Sequence, residues 1–108
     1  MTVREILETI ARTDPAQVAG LGLEDAVILF DLRGQGGGRW TLRMVDGALM
    51  LEEGESLPPR MTLSAEADDF VALATGKLNP MAAFMQGKLQ ISGDMSLALR
   101  LQSLLSAR

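Results

Sequence analysis

Few residues in this chain have chemistry to offer. Its 108 residues include no Cys and no His. Without Cys there is no disulfide, no thiol redox and no thiolate metal site. Without His the usual general base and the commonest metal ligand are missing. Glu52, Glu53 and Glu55 cluster, but no calcium-loop spacing follows, so they read as a solvated acidic turn. Asp68 and Asp69 are adjacent and would not converge as an acid–base pair. They suit the positive end of a helix instead. No Ser has a His or a suitably spaced Lys to activate it. The expectation is no catalytic set, no metal, no cofactor and no enzyme activity.

The two lysines raise a sharper question. Lys77 and Lys88 each directly follow a Gly within GKLNPMAAFMQGKLQISGD, 76–94. A phosphate loop requires Gly, four residues, then Gly-Lys followed by Ser or Thr. Here eleven positions separate Gly76 from Gly87, and Leu89 follows Lys88. The stretch GQGGG at 34–38 joins two alternating segments and opens no helix, so it offers a phosphate no helix dipole. A plainer account is that Gly76 and Gly87 end helices in the left-handed conformation, with Lys near the negative helix end. Arg39 and Arg43 share a strand face opposite Trp40. They either pair with carboxylates across strands or receive a ligand phosphate.

These residues need elements to hold them. Thr2 with Glu5 is a capping box, and Val3, Ile6, Leu7 and Ile10 follow as one helical stripe. Asp14-Pro15 restarts a helix that Gly20 and Gly22 end. From Ala26 the period becomes two. Ile28, Phe30 and Leu32 share a face, then Trp40, Leu42 and Met44, then a strand at 48–52, then Met61, Leu63 and Ala65. Asp46-Gly47 is a primed hairpin turn. A helix runs through Phe70 and Leu73 to Gly76, and a short one runs from Asn79-Pro80 to Gly87. Leu89 and Ile91 alternate in a fifth strand, and Asp94 caps a last helix. The order lacks βαβ alternation, which predicts an α+β fold with a largely antiparallel sheet.

Composition sets outer limits. The length suits one domain, 1–108, able to bury a core without staples. A net charge of −4 argues against nucleic acid and against strong adsorption to anionic membranes. The amphipathic N-terminus lacks a signal peptide's apolar run, no segment approaches a membrane span, and Ser-Ala-Arg is not a peroxisomal tail. The expected compartment is cytoplasmic.

Asp69 to Leu105, DFVALATGKLNPMAAFMQGKLQISGDMSLALRLQSLL, resembles the C-terminal half of the sterol carrier protein 2 domain. The matching positions are Asp69, Gly76, Lys77, Asn79, Pro80, Ala83, Phe84, Gly87, Lys88, Gly93 and Asp94. Upstream, the agreement is in element order and in the aromatic strand carrying Trp40. The resemblance implies a five-stranded, largely antiparallel sheet covered by about five helices and enclosing an apolar tunnel. It also implies non-catalytic binding of fatty acids, fatty acyl-CoA, sterols or isoprenoid lipids.

The residues offer independent support. Seven methionines accompany only three Phe and one Trp. Met adapts to varied apolar ligands, and it also fills core gaps. On the last helix Leu97, Leu101, Leu104 and Leu105 form a docking stripe, while Met95 and Leu99 project from roughly the opposite side. That second side would touch a ligand or a partner, or simply be exposed. The candidate ligand-binding residues are Phe30, Trp40, Leu42, Met81, Phe84, Met85, Ile91, Met95 and Leu99. Expected partners are the lipid itself and a transient membrane or enzyme contact, with a monomeric or weakly dimeric protein. The alternatives are an accessory module presenting a lipid or isoprenoid to an enzyme, and an interaction domain with a closed cavity.

Overall fold

The computed structural model describes residues 2–14, 16, 26–55, 57–97 and 99–100. Helix α1 spans Val3–Ala11 and opens on the expected box: Glu5 N–H donates to Thr2 Oγ1 and Thr2 N–H to Glu5 Oε1. The hydrogen bond from the Thr2 backbone, and then that from its side chain, hold the Glu5 carboxyl below its ordinary value of 4.5. The stripe of Val3, Ile6, Leu7 and Ile10 is buried. Asp14 accepts from Ala16 N–H as a cap would, but the body of the helix expected there, with Gly20 and Gly22, lies outside the described residues.

Five strands follow: β1 (Val27–Arg33), β2 (Gly38–Val45), β3 (Ala48–Glu53), β4 (Met61–Glu66) and β5 (Leu89–Gly93). Their spatial order is β3-β2-β1-β4-β5. Three of the pairings are antiparallel, and the central one, β1 with β4, is parallel. The sheet is therefore mixed. The β2–β3 turn is the primed one that Asp46-Gly47 calls for, with both φ values positive, at 52° and 82°.

Register assigns the faces. Phe30 lies opposite Trp40 on one side and Leu63 on the other, Ile28 opposite Leu42 and Met61, and Leu63 opposite Ile91. These residues share one side of the sheet, because side chains alternate along a strand. The helices cover that side. Helix α2 (Ala67–Ala74) leaves β4 without a loop and puts Phe70 edge-to-face on Phe30, with centroids 5.7 Å apart. Helix α1 packs over β3 and against α2. Helix α3 (Pro80–Met85) packs against β5, and further helical residues at 95–97 and 99–100 follow β5. Apart from Ala16, which is also helical, the described residues hold four helical segments. The opposite side carries Asp31, Arg39, Arg43, Glu52 and Ser64, with Leu29 and Thr41 buried at its centre. Thr41 Oγ1 donates to the Gly54 carbonyl at 2.6 Å.

Candidate functional site

The nine candidate residues fall into two groups. Phe30, Trp40 and Leu42 are buried on the helix-covered side of the sheet, and Ile91 is partly buried against the same core. They form a continuous apolar floor from β2 across β1 and β4 to β5, as their register requires. The other five are exposed: Met81 64%, Phe84 46%, Met85 79%, Met95 52% and Leu99 67%.

The helical period accounts for the second group. On α3, positions 81, 84 and 85 fall within an arc of about 100°, and 83 points the other way. Ala83 is completely buried. The small residue therefore faces the core and the large apolar ones face outward, the reverse of an ordinary surface helix. The last helical segment repeats this: Leu97 is buried at 4%, while Met95 and Leu99 lie on the opposite arc. Leu101, Leu104 and Leu105 of the expected stripe lie outside the described residues. The outward inversion of α3 is the feature that reading by residue type alone missed. The spacing 81/84/85 against 83 carried the signal.

Local hydrogen bonds fix these helices. The Asn79 carboxamide oxygen accepts from Met81 and Ala82 N–H at 2.8 and 3.2 Å. Asp94 accepts from Ser96 and Leu97 N–H at 2.9 and 3.3 Å. Gly76 and Gly87 have φ of 80° and 76°. Lys77 N–H then donates to the Ala72 carbonyl and Lys88 N–H to that of Ala83, each five residues back. That is the 6→1 bond of a Schellman stop, with Lys as the second residue past the helix. The two Gly-Lys pairs are two helix endings of one design.

The strand arginines are occupied elsewhere. Arg39 pairs with Glu55 at 2.9 Å and Arg43 with Glu52 at 2.6 Å on the far side of the sheet. Arg4 on α1 pairs with Glu53. The acidic turn and the strand arginines therefore neutralise each other. A cleft of about 200 Å³ opens to solvent between the loop after β1 and the start of α2, lined by Arg33, Gly34, Gln35, Glu66, Ala67 and Asp68. It is bridged by Arg33 and Glu66 at 3.6 Å and contains none of the nine candidates. Among the described residues no group of His, Cys, Asp or Glu could hold a metal. No buried side-chain nitrogen or oxygen there lacks a partner. Among the described residues the helix-covered floor is apolar.

A model of the SCP-2 sterol transfer family matches residues 5–106. Among curated proteins, human "Hydroxysteroid dehydrogenase-like protein 2" is 42% identical over 82 residues, 75% of this chain and 20% of that protein. The chain spans about a fifth of the length of such relatives. Among solved structures, sterol carrier protein domain 2 of Helicoverpa armigera superposes with a TM-score of 0.75 at 30% identity, covering 96% of this chain and 85% of that one. Apo sterol carrier protein 2 of Yarrowia lipolytica gives 0.72 at 26% identity, covering 93% and 86%.

Proposed function

The chain belongs to the SCP-2 sterol transfer family, and from that premise we propose that it binds and carries a long-chain or polycyclic lipid by apolar contact, without catalysis. The observation that carries this reading is the floor of Phe30, Trp40, Leu42 and Ile91 under a helical layer, with no unpaired buried polar side chain among the described residues. In this reading the floor lines the ligand space. Met81, Phe84, Met85, Met95 and Leu99 form its apolar surround, with Met supplying tolerance of varied shapes. No helix among the described residues is long and apolar enough to cross a membrane.

The magnitude is reasonable. A fatty acid burying about 14 methylenes at ~0.8 kcal/mol each gains about 11 kcal/mol. An association cost of ~4 kcal/mol leaves about −7 kcal/mol, a Kd on the order of 10 µM. Titration with a fluorescent fatty acid and a fluorescent sterol should give saturable binding, with the acyl chain bound at least as well. Absence of saturable binding across a broad lipid panel defeats the proposal.

A second reading has its own support. The chain matches only a fifth of its curated relatives' length, so domains of this kind occur as parts of larger proteins. As an accessory module it would present a lipid or isoprenoid to an enzyme. Recovery of a lipid-modifying enzyme with the purified protein would favour that role.

A further inference from the structure

The outward face of α3 is largely exposed. Met81, Phe84 and Met85 are together among its most exposed large apolar side chains, although the helix is only six residues long. The chain's two lysines bracket it: Lys77 stands three residues before Pro80, and Lys88 three residues after Met85. Both lysines are exposed, and neither is paired with a carboxylate among the described residues. Residues 70–93 contain both lysines and none of the chain's 14 acidic residues. In a protein of net charge −4 this segment is cationic, and the exposed side chains of α3 form an apolar ridge within it.

We propose that this ridge docks the protein on an anionic lipid bilayer, with Met81, Phe84 and Met85 entering the headgroup–acyl boundary and Lys77 and Lys88 contacting anionic headgroups. This goes beyond ligand carriage and holds whether or not the interior takes a lipid.

Area and charge favour a bilayer over a protein. The three side chains expose on the order of 400 Å², about half of what each partner of a stable protein complex commonly buries. A bilayer sets no such threshold: affinity scales with inserted apolar area plus attraction to anionic headgroups. Each lysine near an anionic surface strengthens binding about fivefold. A Schellman ending fixes the backbone of each lysine, one shortly before α3 and one shortly after it in the chain. The net negative charge elsewhere opposes adsorption in any other orientation.

The test is co-sedimentation with vesicles of phosphatidylcholine and phosphatidylserine mixed about 7:3, against phosphatidylcholine alone. Wild type should bind the mixed vesicles roughly ten- to thirtyfold better, with an affinity that falls as salt rises. The Lys77→Gln/Lys88→Gln double variant should lose roughly ten- to thirtyfold on mixed vesicles and show no preference between the two. The Met81→Gln/Met85→Gln variant should lose binding to both while melting like wild type, since its altered side chains are exposed. Wild type left in the supernatant, or variants that sediment like it, overturns the proposal. So does a wild-type self-association that the Met variant abolishes while vesicles recruit nothing, which would make the ridge a contact between copies. Titration of a fluorescent fatty acid without vesicles reads carriage separately, so the two proposals can fail independently.

Discussion

Gly87 sits at φ 76° with open space around the position a Cβ would take. Its requirement is therefore conformational rather than steric. Gly87→Val should cost about 1–2 kcal/mol through backbone strain alone. Lys88→Ala should stay within ~0.5 kcal/mol of wild type, because the Schellman bond uses the Lys88 backbone and the side chain is exposed. Denaturant melts of the two variants compare these values directly, and equal stability would contradict the stop. At this scale the sequence was highly legible. Asp46-Gly47, the Thr2–Glu5 box, the Asn79 and Asp94 caps and both Gly-Lys endings depend on residues within a few positions of one another. Such interactions are written locally. Leu29 and Thr41 were not legible, because they are buried on the side of the sheet that carries the strand arginines. Their burial comes from a central position between strands, which their own types do not encode.

Element by element, strand faces followed from the period of two, and their register then assembled the floor of Phe30, Trp40, Leu42 and Ile91. The parallel pairing of β1 with β4 was hidden. Pro58-Pro59 marks a loop between the third and fourth strands, yet β4 lies on the far side of β1 from β2 and β3. Only the sheet order reveals that. The last helical segment was readable in its two faces and lends itself to a comparison. Leu97 is buried at 4% and Leu99 is exposed at 67%. Leu97→Gln should destabilise by about 3 kcal/mol, from lost packing and an amide without a partner. Leu99→Gln should leave the melt within ~0.5 kcal/mol. If Leu99 borders the ligand, this variant should weaken fatty-acid binding about fivefold, the equivalent of ~1 kcal/mol. Unchanged affinity for every lipid that wild type binds would assign the Met95–Leu99 face to a partner instead.

At the scale of the molecule, one sheet face and one helical layer enclose the apolar interior, and the ion pairs of Arg39 and Arg43 lie on the other face. An interior of that kind can be a closed core or a ligand space, and the two differ thermodynamically. A ligand that binds only the folded state stabilises it by about 2.7 kcal/mol at a hundred times its Kd. A domain near this size shifts in Tm by roughly 4–8 °C per kcal/mol, so saturating palmitate should raise Tm by on the order of 10 °C. Trp40 gives the shift a location. It is the only Trp in the chain, 7% exposed, on the floor beside Phe30. A fatty acid bearing an acceptor fluorophore should quench Trp40 emission by energy transfer with the same saturation curve that the thermal shift follows. Stabilisation and Trp40 quenching that follow one saturation curve show that the folded domain binds the lipid at a single kind of site. If palmitate leaves Tm unmoved and Trp40 emission unchanged while the protein still partitions onto vesicles, the interior is a closed core and the lipid chemistry of this chain is confined to its surface.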